Sequence, residues 1–505
     1  MLCIGLFCVM SLGASFVPSP WWSGSMLELD VRWPKAASHL GLSNPAPVAA
    51  AVEELPEVAL EELALPQEDD AQMTRELERQ RLEAAELNAQ KRARQDKAQL
   101  RAQNAKLLAG LEDVKAPKVR LERPCVVQGA SGCRLRAMDT FFDALRQTAL
   151  KTRKTPVRIS QYGDSLISGD GFTGRLRRSL QSRFGDGGHG YVPLRAPSRF
   201  MGFNGLRVSS SDSWKLDSIG RKGKAPKMLG VGGVSFVPKG PTKLKIQAKK
   251  KSRTFDTIGL MAKPRTEAHN VDFRLKTSEA PKAISIAPGE LSDHVHWLSM
   301  EPTSTIELSN FTRATYYGVV VENKGPGIVV DNFGMLSSKA SSLTNMNAAH
   351  WKQQMTSRGV NLASFSFGTN SAGVGRPSKK WLERYQRVYG HVLKAAQEVS
   401  AERDCLVLSI LTRASKQDDV ITPYPSVKAM VGAQRQSAQQ AGCAFWDMNA
   451  AIGGEKGPAK WYKHSPRWLG SDLAHPTPKG YGKLAQLFEQ ALMYEFKVYL
   501  QEQSK

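Results

Sequence analysis

Three short stretches hold residue types that could cooperate on an ester. The first is Val157-Arg158-Ile159-Ser160-Gln161-Tyr162-Gly163-Asp164-Ser165-Leu166, an apolar run ending in Gly-Asp-Ser. The second is Phe367-Gly368-Thr369-Asn370, and the third Ser471-Asp472-Leu473-Ala474-His475-Pro476. A strand running into Gly163-Asp164-Ser165 would expose the Ser165 hydroxyl at its carboxyl end. A serine hydroxyl is barely ionised at neutral pH and needs an adjacent base. His475 is the candidate base. Asp472, one helical turn upstream, can accept from the other ring nitrogen and fix the tautomer. The backbone N–H of Ser165 and the side-chain amide of Asn370 are candidate donors to a developing oxyanion. Each fragment alone is a common turn, loop or helix cap. Their joint occurrence in this order points to acyl-ester chemistry.

The elements that must position these groups follow from the pattern around them. Pro156 precedes the strand that ends at Ser165, and 174–184 reads as a basic amphipathic helix. The turn Gly185-Asp186-Gly187-Gly188-His189-Gly190 lacks the Lys and hydroxyl of a phosphate-binding loop. From Gly327 onward, strands at 328–330, 362–367, 405–411 and 443–448 alternate with helices at 350–358, 381–403 and 428–441. Thr477-Pro478 supplies an N-cap and first-turn proline for a last helix ending near Gln501. Such alternation predicts an α/β fold with a doubly wound parallel sheet, whose ligands bind outside the carboxyl ends of the strands. Residues 195–325 instead contain short alternating runs such as Lys243-Leu244-Lys245-Ile246-Gln247, separated by Gly, Pro and Ser. They predict an inserted antiparallel β-sandwich. The catalytic domain is therefore expected in two parts, 124–194 and 326–500.

The remaining sequence sets the context. With 505 residues the chain exceeds one typical core. Residues 1–17 are apolar and uncharged, resembling a signal-peptide core, although no Lys or Arg precedes them. Residues 18–71 read as a Pro/Ala/acidic linker, and 72–113 as a charged, solvated spacer helix whose leucines keep no strict heptad. The formal net charge is +23, concentrated between Arg221 and Arg265, where thirteen Lys or Arg face one acid, Asp256. That run is either a solvated face or a contact with an anionic envelope surface. No zinc finger, RRM-type aromatic motif or helix-turn-helix pattern is present, which argues against nucleic acid as a partner. Of six cysteines, Cys125 and Cys133 could close a local disulfide, whereas Cys405 and Cys443 sit in apolar runs expected to bury free thiols. No cysteine or histidine spacing suggests a metal, and no cofactor is expected. His464, His189 and His350 lack an acid at a comparable offset, so surface or packing roles are expected for them. Asp164 is expected to brace the turn.

These blocks resemble the SGNH (GDSL-type) hydrolases. Gly163-Asp164-Ser165-Leu166 matches the nucleophile block, Gly368-Thr369-Asn370 the asparagine block, and Asp472-Leu473-Ala474-His475 the terminal block. Gly169-Asp170-Gly171-Phe172-Thr173-Gly174 and Ala348-Ala349-His350-Trp351 are similar to the peptidoglycan O-acetylesterase branch. So are Glu322-Asn323-Lys324-Gly325-Pro326-Gly327 and Phe445-Trp446-Asp447-Met448. The resemblance covers roughly 124–495. It implies an SGNH-type three-layer fold interrupted by a carbohydrate-binding-like sandwich, with Ser165, Asp472 and His475 as the triad. It also implies a second oxyanion N–H from a glycine block. Aligning Asp331-Asn332-Phe333-Gly334-Met335-Leu336-Ser337 with that block places Ser337 where glycine is expected and leaves Gly334 three residues earlier. A backbone donor survives this replacement if the dihedrals permit.

The expectation is thus an exported, periplasmic or envelope-associated serine esterase. Its substrate would be an O-acetylated cell-wall glycan, peptidoglycan first, attacked through an acyl-serine. Two alternatives remain open at this point: an O-acetyltransferase using the same acyl-serine, and a wall-binding protein whose site has decayed.

Overall fold

The computed structural model describes residues 68–504, apart from Ser131, 221–225, 265–268, Glu279, 291–294 and 398–402. The signal-like segment and nearly all of the acidic linker lie outside the described residues. A helix runs from Glu68 to Ala109 with an exposed surface over most of its length. It begins earlier and stops sooner than its composition suggested. Near its end, Asn104 is buried and its Nδ2 donates to the Leu500 carbonyl at 3.4 Å.

Five strands build a parallel sheet: Val157–Gly163, Ile328–Gly334, Leu362–Ser366, Asp404–Leu408 and Ala444–Trp446. Their spatial order is second, first, third, fourth, fifth. All five are almost wholly buried, as strands covered on both faces must be. Because side chains alternate across a strand, Ile159 and Leu362 pack with the helices Asp139–Ala149, Gly171–Phe184 and Pro478–Glu502. Tyr162 and Phe365 point to the opposite layer, with Trp351 and Met430. Strand order reverses between the first and third strands, and the crevice at such a reversal is where doubly wound sheets bind ligands. Ser165 follows the first strand and Asn370 the third.

The inserted region forms two antiparallel sheets with one core. Five strands, from Leu206–Ser210 to Lys282–Ile286 and Thr305–Ser309, make one sheet; the other includes Phe255–Pro264, Val295–Thr303 and Ala314–Glu322. Trp214 lies between them with its ring edge-on to Phe236, Phe311 and Tyr316. Gly188–Val192 pairs with Ala314–Glu322, so the sandwich takes its first strand from sequence ahead of residue 195. The glycine-rich turn explains how. Gly188 has φ +107°, and a Cβ there would sit 2.3 Å from the Glu322 Cα, so the turn serves close strand approach.

A buried ionic lock spans the seam between sandwich and parallel sheet. Arg358 is 1% exposed and pairs with Glu322 at 2.6 Å and with Asp331 at 2.9 Å. Arg158 reaches the same Glu322 at 2.7 Å. Opposed charges hold Glu322 ionised: burial pushes its carboxyl up, but Arg358 and Arg158 outweigh burial and bring it below its ordinary value.

The cysteines require a correction. Cys125 pairs with Cys133, and Cys405 is bonded to Cys443 rather than buried as a free thiol. The parallel register Leu406↔Ala444 sets the two cysteines opposite one another, with Cα atoms 4.8 Å apart. Apolar runs in the sequence gave no sign of which strands would be neighbours.

Candidate active site

The nucleophile turn is built by the end of the first strand. Gly163 stands opposite Gly334 on one side and Ser366 on the other. Asp164 then caps a four-residue helix, Ser165–Ser168, its Oδ1 accepting from the Leu166 N–H at 3.0 Å. Ser165 is the first residue of that helix. First-turn N–H groups have no intrahelical partner, and none of the described residues accepts from the Ser165 amide. Behind the turn, Asn332 Nδ2 donates to the Ile167 carbonyl at 3.0 Å, and the buried Asp170 pairs with Arg177 at 3.2 Å. These braces hold the short helix against the second strand.

The terminal block is a tight loop rather than a helical turn. Leu473 takes φ +53°, and Gly470 N–H donates to the His475 carbonyl at 2.7 Å. Asp472 Oδ1 accepts from the Ala474 and His475 amides at 3.2 and 3.1 Å, while Oδ2 lies 2.5 Å from His475 Nδ1. His475 Nε2 lies 2.7 Å from Ser165 Oγ. The loop thus brings the three side chains into one hydrogen-bonded line. Burial pushes the Asp472 carboxyl up, but the His475 side chain and the two loop amides outweigh it, leaving the carboxyl below its ordinary value. It stays an acceptor, as an orienting carboxylate must.

The proposed oxyanion donors divide. Asn370 Nδ2 donates to the Ser338 carbonyl at 3.0 Å, which fixes the amide and leaves its second hydrogen free to donate. Ser338 Oγ in turn donates to the Gly163 carbonyl at 3.1 Å, tying this loop to the nucleophile strand. Ser337 is exposed and adopts φ +59°, the left-handed region that glycine favours. No described residue accepts from its amide. Gly334 does not serve: its N–H donates to Asn332 Oδ1 at 2.9 Å. A Cβ on Gly334 would lie 2.3 Å from the Ser168 N, so glycine stands there to admit the nucleophile helix.

Competing histidines sit elsewhere. His464 stacks on Trp468 at 3.5 Å, and His350 packs against Tyr317. His189 is buried in a sandwich strand, where desolvation drives its pKa well below the ordinary value. Among the described residues, no three His, Cys, Asp or Glu gather as metal ligands. Sequence reasoning gave Asp164 a bracing role and missed its electrostatics. It is 1% exposed, its Oδ2 makes no hydrogen bond, and burial pushes its carboxyl up to about 6. The Leu166 amide, the nearby His475 and Thr369 only partly offset that burial.

Residues 303–483 match the model of the GDSL-like Lipase/Acylhydrolase family. That match covers the asparagine and terminal blocks. Over these residues the chain is similar to the GDSL-type acylhydrolases. Among solved structures, one described as "Peptidoglycan O-acetylesterase in action, 5 min" is 20% identical with a TM-score of 0.59. It covers 71% of this chain and 96% of its own. At that identity the likeness establishes a shared fold, a parallel sheet between helices with an inserted sandwich. An acetyl xylan esterase, AlAXEase, is 14% identical with a TM-score of 0.26, covering 33% of this chain and 81% of its own. A pectin-binding carbohydrate binding module is 13% identical with a TM-score of 0.17, covering 23% and 88%. Scores that low carry no weight. No curated protein matches the sequence.

Proposed function

We propose that this chain is a GDSL-type acylhydrolase that removes O-acetyl groups from a polysaccharide, peptidoglycan above all, through an acetyl-serine intermediate. The observation that carries the proposal is the unbroken line Ser165 Oγ, His475 Nε2, His475 Nδ1, Asp472 Oδ2. In the first step Ser165 Oγ bonds to the acetyl carbonyl carbon while His475 Nε2 takes the hydroxyl proton. The carbonyl oxygen becomes an oxyanion facing the Ser165 and Ser337 amides and the free Asn370 hydrogen. Collapse breaks the ester bond, and His475 returns its proton to the departing sugar oxygen. Water, deprotonated by His475, then attacks the acetyl-serine; the bond to Ser165 Oγ breaks, His475 returns the proton to Oγ, and acetate leaves.

His475 and Asp472 have 35% and 54% of their side chains exposed, so bulk water reaches the second step. That exposure favours hydrolysis over transfer to a second sugar. The likeness in fold to the peptidoglycan O-acetylesterase supports the choice of glycan. Two disulfides support an oxidising, extracytoplasmic location. The deciding experiment compares acetate release from O-acetylated sacculi and from acetylated xylan. Preference for sacculi supports the proposal; equal or greater turnover of xylan overturns the glycan assignment.

A further inference from the structure

A cavity of about 300 Å³ opens next to the oxyanion loops, lined by Lys339, Ser341, Ser371, Trp381, Arg384 and Tyr385. Two of its lining residues are sequence neighbours of the candidate oxyanion-loop residues. Lys339 follows Ser338, which accepts from Asn370 and donates to the Gly163 carbonyl; Ser371 follows Asn370 itself.

Trp381 and Tyr385 lie one turn apart on the helix Lys379–Gln397, with rings stacked at 5.2 Å and 10°. Tyr385 is fixed from behind: its hydroxyl accepts from Gln434 Nε2 at 2.9 Å, and the same nitrogen donates to the Phe367 carbonyl at 2.6 Å. The platform is therefore tied to the strand that delivers Asn370. Trp381 keeps 36% of its surface exposed. A rigid, half-exposed indole presents a flat apolar face at small entropic cost, suited to the C–H face of a sugar ring. Lys339 and Arg384 also line the cavity, and neither pairs with an acid among the described residues. A planar guanidinium without a carboxylate of its own is suited to accept one from a ligand.

From this arrangement, and resting on the esterase reading, we infer that the cavity is a glycan subsite for a pyranose whose substituent carries a carboxylate. The ring stacks on Trp381 and the carboxylate pairs with Arg384 and Lys339. The enzyme would then select acidic wall glycans over neutral acetylated ones by binding, leaving the chemistry at Ser165 unchanged.

The test uses the full chain, Trp381→Ala, Trp381→Phe and Arg384→Gln. All should hydrolyse 4-nitrophenyl acetate within twofold of the parent. On O-acetylated peptidoglycan strands, Trp381→Ala should raise KM at least tenfold with kcat little changed, and Trp381→Phe should restore part of the loss. Arg384→Gln should weaken turnover of native strands while leaving strands with reduced carboxyls unaffected. A second arm measures calorimetric affinity of de-O-acetylated strands for Ser165→Ala with and without Trp381→Ala, where the double variant should bind at least tenfold more weakly. Unchanged KM and affinity in the Trp381 variants overturn the subsite and leave the esterase reading standing. An inactive parent overturns the esterase reading, and the affinity arm still decides the subsite.

Discussion

Replacing Asp164 by Asn should make the protein more stable as pH rises, in a quantity the structure sets. Asp164 is 1% exposed, and only one of its oxygens has a hydrogen bond. Burial raises its carboxyl from 3.8 to about 6. A carboxyl raised on folding holds its proton in the native state after the unfolded chain has released it. Stability is therefore full below the unfolded value and is lost as pH climbs through about 6. At about 1.4 kcal/mol for each pH unit, the shift costs roughly 3 kcal/mol by neutral pH. Asn keeps the oxygen that accepts from the Leu166 amide and cannot ionise. Urea unfolding of the parent and Asp164→Asn at pH 4 and pH 8 isolates this group, because all others cancel in the difference. The variant's relative stability should increase by about 2–3 kcal/mol from the lower to the higher pH. A difference that stays constant across that range refutes the burial argument. The negative charge of Asp164 also attracts a proton-bearing His475, so the stabilised variant should hydrolyse 4-nitrophenyl acetate more slowly.

Three further outcomes follow from the geometry. Asn370→Ala should lower kcat on 4-nitrophenyl acetate by about 10²–10³ with little change in KM, since in the proposed mechanism it removes a donor used in the transition state. Arg358→Met leaves Glu322 and Asp331 buried without their shared cation, and chemical denaturation should show a loss of about 3–5 kcal/mol. Replacing both Cys405 and Cys443 by Ala should cost roughly 2–4 kcal/mol by the same measurement, with turnover per folded molecule unchanged.

Legibility in the sequence was uneven for physical reasons. Ser165, Asn370, Asp472 and His475 could be named because each follows a strand end or ends a loop with a recognisable turn. Parallel strands buried on both faces also announce themselves as continuous apolar runs. What escaped depended on which segments become neighbours in space. Cys405 and Cys443 pair only because the fourth and fifth strands are adjacent in register. Gly188–Val192 reads as loop until Ala314–Glu322 offers it a partner. Gly334 looks like a free amide donor until Asn332, two residues earlier, folds back to take its hydrogen. The Asp472–His475 offset suggested a helical turn, whereas Leu473 with positive φ closes a loop of the same reach. Arg358 gave no sign of its lock because Glu322, Asp331 and Arg158 lie on three different strands.

In the proposed mechanism acetyl passes through Ser165. The most direct measurement is acid quenching during 4-nitrophenyl acetate turnover, followed by mass spectrometric mapping of the acetylated residue. One acetyl group is expected on the peptide containing Ser165, and none on Ser165→Ala or His475→Ala. Steady turnover with acetyl on a different side chain, or undiminished turnover by Ser165→Ala, would contradict it.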